Sequence, residues 1–263
     1  MAQLHLIETG SGAPLVLLHA FPLNSSMWAA QVEALGDSWR VICPDQRGFG
    51  GSLLPDADVD AAPSLDALAD DLAELLDARR ISEPVVLAGL SMGGYVVMAF
   101  WRRHRERVRA LVLADTKASA DSPEAAAGRE RIAAEVVSAA SSAQLVDELT
   151  PTLLGSTTRS ERPLVLGRVK ALVESAPPDA VAWAQRAMAA RPDSFADLRT
   201  VDVPALVIVG VEDAISPPAD ARAMADAMPG ARLVQIPAAG HLSAIEAPDD
   251  FNAALGSFLD QLR

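Results

Sequence analysis

Apolar residues in this chain fall into short aliphatic, often β-branched runs separated by amphipathic stretches, and that alternation predicts an α/β protein built on a mostly parallel sheet. The runs at 4–9, 15–19, 40–44, 84–88, 110–114, 205–209 and 231–236 read as about seven strands flanked by helices. Gly10-Ser11-Gly12 looks like the turn of an antiparallel hairpin joining the first two. Helical periodicity occupies 27–35, 219–228 and 250–262; in the last, Phe251, Leu255, Phe258, Leu259 and Leu262 form one apolar stripe. Ser64 is placed to cap a further helix whose Leu65, Leu68, Leu72, Leu75 and Leu76 share a face.

After the run at 110–114 the alternation stops, and 117–200 carries helical periodicity with no convincing strand. Four helices are predicted there, at 123–140, 143–154, 159–176 and 178–191. The chain then divides into a core in two parts, 1–116 and 201–263, with a helical cap, 117–200, inserted between two core strands. A cap over the ends of the strands would exclude water and shape a pocket. Trp183 and Met188 are candidate walls from the cap, and Met27 and Trp28 from the opposite side, with ordinary core packing the competing reading for each. Short apolar walls and few aromatic residues point to a small or medium substrate.

The chemistry centres on Gly89-Leu90-Ser91-Met92-Gly93. It follows a strand-like run and precedes the apolar helix beginning Gly94-Tyr95-Val96-Val97, which is the setting of a G-x-S-x-G nucleophile elbow. Such a turn raises the serine hydroxyl above the sheet and aims helix-start N–H groups at whatever binds there. A serine needs a base and an orienting acid, in the chain order Ser, Asp/Glu, His. Of four histidines, His5 lies in the first strand, His19 ends the second and His104 sits among arginines at a helix end. His241, in a loop before the final helix, is left as the base. The acid is sought at the carboxyl end of a strand. Asp213 is favoured, with its neighbour Glu212 and Asp115, after the strand at 110–114, as the other candidates.

These segments resemble the α/β-hydrolase superfamily, in particular the compact group of 3-oxoadipate enol-lactonases, small arylesterases and cofactor-free haloperoxidase/perhydrolases. Leu17-Leu18-His19-Ala20-Phe21-Pro22-Leu23 resembles the H-G-F-P oxyanion loop of that family, and Asp45-Gln46-Arg47-Gly48-Phe49-Gly50-Gly51-Ser52 its D-x-R-G-x-G-x-S turn. The resemblance implies the α/β-hydrolase fold, with an oxyanion hole formed by the backbone N–H groups of Phe21 and Met92. It also implies seven core strands rather than eight, since the family's extra first strand has no room before Leu4. Ala20 stands where the family usually has glycine, which puts the Phe21 donor geometry in question. The Asp45–Ser52 turn reads as bracing for the oxyanion loop. Phe21-Pro22 is also similar to the loop of relatives that make peracids, implying perhydrolysis of short acids or, more simply, a proline that braces the loop.

The implied activity is hydrolysis of a small carboxylic ester or lactone through an acyl-enzyme, without cofactor or metal. A carbon–carbon bond hydrolase and a slow-turnover ligand sensor signalling to a protein partner share the same motifs. A nucleophilic serine disfavours haloalkane dehalogenase and epoxide hydrolase chemistry, whose nucleophile is an aspartate.

Composition agrees with one enzyme domain of 263 residues. The net charge of −13 argues against nucleic acid as a partner. No apolar run reaches the length of a membrane helix, and the start, Met1-Ala2-Gln3-Leu4-His5, has no signal-peptide pattern. The lone Cys43 reads as buried filler, and the expected compartment is cytoplasmic. Arg102 to Arg109 reads as a solvated helix end and loop.

Overall fold

The computed structural model of the protein describes residues 4–55 and 62–263; the first three residues, where no signal-peptide pattern is expected, lie outside the described residues. In chain order the first half comprises β1 (Leu6–Thr9), β2 (Pro14–Leu18), α1 (Ala29–Leu35), β3 (Arg40–Pro44), α2 (Leu65–Ala78), β4 (Val85–Leu90), α3 (Met92–His104) and β5 (Val108–Ala114). Six helices follow without a strand: α4 (Pro123–Ala139), α5 (Gln144–Leu153), α6 (Ser156–Glu161), α7 (Pro163–Glu174), α8 (Pro178–Ala189) and α9 (Phe195–Leu198). The chain ends with β6 (Ala205–Gly210), α10 (Pro218–Ala227), β7 (Arg232–Ile236), α11 (Ser243–Glu246) and α12 (Pro248–Leu259).

The seven strands form one sheet in the order β1-β3-β2-β4-β5-β6-β7, parallel except for β1. The expected β1–β2 hairpin is absent: β3 lies between them, and β1 pairs antiparallel with β3 through Leu6↔Pro44 to Thr9↔Val41. Burial explains the insertion. Every residue of β2 is buried, so it needs a covered partner on each side, whereas all four residues of β1 stay partly exposed, as suits an edge.

Local signals set the helix ends. Ser64 Oγ accepts the Ala67 N–H, starting α2 with its leucine face against the sheet. Ser122 caps α4 in the same way, with Pro123 at its first position. The single helix expected over 159–176 is two, because Pro163 has no N–H to continue α6 and instead begins α7. Arg102 to Arg109 is not simply solvated. Arg102 and Arg103 of α3, and Arg107 just beyond it, pair with Asp66, Asp70 and Asp77 of α2, and Arg109 is already within β5. Among the described residues no helix is long and apolar enough to cross a membrane.

His19, just beyond β2, is fully buried. Its Nε2 accepts the Gln46 N–H at 2.9 Å and its Nδ1–H donates to the Ala20 carbonyl at 3.0 Å, so the ring is neutral. Burial lowers its pKa from 6.5 to about 4. The unfolded chain takes up this proton as pH falls through 6.5, and the folded chain resists until about 4. Stability is therefore full above that window and declines within it, by about 3 kcal/mol. In urea titrations the stability margin of wild type over His19→Asn should shrink by that amount across the window. An unchanged margin would contradict a neutral buried ring.

Candidate active site

Ser91 occupies the turn between β4 and α3 with φ +56° and ψ −115°, a conformation that costs a non-glycine residue about 1–3 kcal/mol. The surroundings hold it there. Its N–H donates to the Ala114 carbonyl at 2.9 Å, and its carbonyl accepts from Thr116 Oγ1 at 2.9 Å, so the end of β5 clamps the turn from both sides. A Cβ on Gly89 would strike the Gly93 carbonyl, and one on Gly93 would strike that of Leu18. The turn closes only with glycine at both places.

Two further strand ends complete a hydrogen-bonded chain. Ser91 Oγ donates to His241 Nε2 at 2.7 Å, and His241 Nδ1–H donates to Asp213 Oδ2 at 2.8 Å. Asp213 follows β6, and its Oδ1 accepts the N–H groups of Ile215 and Ser216 at 2.8 and 2.9 Å. All three side chains are buried, Ser91 the most accessible at 9%. The other two candidate acids lie elsewhere. Glu212 turns away to accept from Thr157 and Ser156 of α6, and the Thr157 bonds hold its carboxyl below the usual range. Asp115 is fully buried behind the triad: Oδ1 accepts the Gly210 N–H at 2.8 Å, and Oδ2 meets Ser243 Oγ at 2.5 Å. Burial, then the Asp213 charge, pushes the Asp115 carboxyl well above its ordinary value.

Phe21 lines the same cavity as Ser91, and Met92 follows Ser91 at the start of α3; among the described residues the backbone N–H of neither has an acceptor within the protein. Ala20 keeps a negative φ, so the missing glycine introduces no left-handed strain. Its N–H reaches Met27 Sδ at 3.2 Å and its carbonyl accepts from Leu23 N–H at 2.8 Å. Behind this loop, Asp45 accepts from Ser25 N–H at 2.7 Å, Gly51 N–H at 2.9 Å and His5 Nδ1 at 2.7 Å. Burial opposes the Asp45 charge, but these bonds hold its pKa below the ordinary value. Arg47 of the same turn pairs with Asp71 through two bonds of 2.6 Å.

A cavity of about 290 Å³ opens over Ser91 and His241. Its apolar wall is Phe21, Ile132, Leu149, Leu153, Met188 and Ile215; its polar wall is Tyr95, Lys117, Asp121, Arg129 and Gln185. Of the four residues expected to line a pocket, the structure places Met188 here and not the others. Met27 and Trp28 are 1% exposed and belong to the core, where Met27 supports the Ala20 amide and Trp28 packs on Phe251 at 6.0 Å. Trp183 lies under the Arg47 guanidinium, 5.1 Å from its ring centre. Sequence reading missed the whole polar wall, whose members come from α3, the segment between β5 and α4, α4 itself and α8, and share no local pattern.

It also missed Glu246, buried on α11. Glu246 Oε1 accepts the N–H groups of Gly240 and Leu242, the residues either side of His241, at 3.0 and 3.1 Å; Oε2 accepts Gly155 N–H at 2.8 Å. One carboxylate thus fixes the histidine loop to the chain leading into α6. The only signal was a lone acid within Ala244-Ile245-Glu246-Ala247. Glu246→Gln, which turns an N–H₂ toward donors, should lower kcat about a hundredfold through a shifted imidazole, with a cooperative melt retained. An unchanged kcat would mean that the loop holds its own shape.

Among the described residues no cluster of His, Cys, Asp or Glu is arranged to hold a metal ion. Burial pushes the Cys43 thiol up to about 12, which leaves it unreactive.

A family model described as alpha/beta hydrolase fold matches residues 13–248. The pimeloyl-[acyl-carrier protein] methyl ester esterase of Nitrosomonas europaea is 31% identical over 261 residues, covering 95% of this chain and 97% of that protein. Among solved structures, a malate-bound thermophilic esterase from Thermogutta terrifontis superposes with a TM-score of 0.95 at 42% identity, covering 99% of this chain and 94% of that one. The enol-lactonase from Burkholderia xenovorans LB400 gives 0.88 at 30% identity, covering 98% and 97%.

Proposed function

The chain belongs to the alpha/beta hydrolase family, and from that premise we propose that it is a serine hydrolase cleaving a small carboxylic ester or lactone through an acyl-enzyme. The observation that carries this reading is the Ser91–His241–Asp213 chain, with contacts of 2.7 and 2.8 Å beneath a cavity of substrate size. An esterase and an enol-lactonase among the similar proteins agree with it.

In this mechanism Ser91 Oγ attacks the acyl carbon while His241 Nε2 takes its proton. Asp213 keeps the Nδ1 proton in place and stabilises the imidazolium. The carbonyl oxygen, now an alkoxide, moves between the Phe21 and Met92 amides, each donor contributing about 3 kcal/mol at the transition state. His241 then protonates the departing oxygen. From a lactone that oxygen stays tethered to the acyl group; from an ester it leaves as an alcohol. Water, deprotonated by His241, attacks the acyl-enzyme and releases the acid. A cytoplasmic setting fits a chain whose single cysteine is free and buried.

The test is turnover on a panel of lactones, aryl esters and alkyl esters. Many cycles on at least one of them support the enzyme reading. A single slow cycle per molecule would favour a ligand sensor, and preferential cleavage of a 1,3-diketone would favour a carbon–carbon bond hydrolase.

A further inference from the structure

The chain is strongly acidic, yet the polar wall of the cavity is not. Its ionised side chains are Lys117, Arg129 and Asp121, and Arg191 approaches the same carboxylate from behind. Asp121 Oδ2 takes Arg129 Nε at 2.5 Å and Arg191 Nη1 at 2.8 Å. Burial opposes the Asp121 charge, and the two guanidiniums overcome it, holding its pKa below the ordinary value. One carboxylate is therefore shared by two guanidiniums, and Lys117, on the same wall, has no acidic partner among the described residues. Arg191 is occupied by Asp121 and by the Tyr95 ring, 4.2 Å from its centre. Arg129 Nη1 is held by Gln185 Oε1 at 2.9 Å. Among the described residues, Arg129 Nη2 and the Lys117 amine have no protein acceptor.

Cations without acceptors in a partly enclosed cavity are costly to bury unless an anion joins them. They are held from two directions. Lys117 follows Thr116, whose hydroxyl holds the Ser91 carbonyl, so its backbone is anchored beside the turn that carries Ser91. Arg129 is pinned by α8 and by Asp121, which sits between β5 and α4. Ile132, Leu149 and Leu153 leave an apolar passage in the same cavity.

We infer that this cavity selects substrates carrying a free carboxylate, received by Lys117 and Arg129 while the ester or lactone carbonyl lies at Ser91. The inference deepens the serine-hydrolase reading and rests on it. The carboxylate belongs either to the acyl part, as in a half-ester of a short dicarboxylic acid, or to the alcohol part. Charge-assisted bonds of this kind set specificity, since an uncharged analogue leaves both cations unpaired.

The experiment compares kcat/KM for methyl hydrogen glutarate against methyl pentanoate, and for 3-acetoxybenzoate against phenyl acetate, in wild type, Lys117→Met, Lys117→Arg and Lys117→Glu. Wild type should prefer the anion in one of the two pairs, and that pair identifies which part carries the carboxylate. The preference should fall at least about tenfold in Lys117→Met, chiefly through KM, persist in Lys117→Arg and reverse in Lys117→Glu. Calorimetric titration with glutarate and 3-hydroxybenzoate reads the subsite without turnover. Binding of either that is lost in Lys117→Met upholds the subsite even if no ester is cleaved, a result that would count against the hydrolase reading alone. Neutral esters preferred by wild type, or an anion preference that ignores the charge at position 117, overturns the inference.

Discussion

Ser91→Ala should lower kcat for ester hydrolysis by roughly a millionfold, to the residue that binding and the oxyanion donors supply by themselves. The expectation follows from the proposed role of Ser91 as the nucleophile, with no other candidate free to replace it among the described residues. Cys43 is buried with its thiol pushed up to about 12, and Ser243 Oγ is occupied with Asp115. Folding should survive, because alanine brings no more bulk to φ +56° than serine already does, and the backbone bonds to Ala114 and Thr116 do not involve the hydroxyl. A fluorophosphonate probe should label wild type and leave the variant unlabelled. A variant that folds and keeps most of its activity would remove Ser91 from the chemistry.

Asp213→Asn should cost about 10⁴-fold in kcat, and Asp115→Asn far less. In the first variant the amide oxygen takes the place of Oδ1, where the Ile215 and Ser216 N–H groups require an acceptor. The amide N–H₂ then faces His241 Nδ1, which must accept instead of donate. The ring proton moves to Nε2, and Ser91 loses its base. Asp115 behaves differently because it bonds to Gly210 and Ser243 rather than to His241, and because burial and the Asp213 charge already push its carboxyl well above the ordinary value. An asparagine there still accepts from Gly210 and donates to Ser243 Oγ, losing only the long 3.2 Å bond from Ser243 N–H. Steady-state kinetics and urea melts on both variants separate the roles. The opposite ranking in kcat would make Asp115 the orienting acid.

Where the candidate site was legible in the sequence, it was because local patterns and backbone geometry coincide. Runs of β-branched residues mark buried strands wherever they pair. Glycines on either side of a serine, between strand and helix, supply the close backbone approach that a sharp turn at that point demands. Non-local placement was not legible. Nothing near Gly10-Ser11-Gly12 tells that β3 will come between the two strands it joins. Glu212 and Asp213 are neighbours with the same chemistry, and only the direction of the turn sends one to Thr157 and the other to His241. Met27 and Trp28 lie beside the oxyanion loop in sequence, but an apolar side chain reads alike whether it faces a pocket or the core. Lys117, Asp121, Arg129 and Gln185 meet only because α4 packs along α8 above the end of β5. A charged wall assembled from separate elements leaves no periodicity to detect.

The central claim is a covalent acyl group on Ser91, and rapid acid quench of wild type during turnover of a good aryl ester measures it directly. Intact-mass spectrometry should find the protein heavier by the acyl group, and peptide mapping should place the addition on the segment containing Ser91. It should be absent in Ser91→Ala. Sustained turnover with no such adduct, under conditions where deacylation is slower than acylation, or an adduct mapped to another residue, would contradict it.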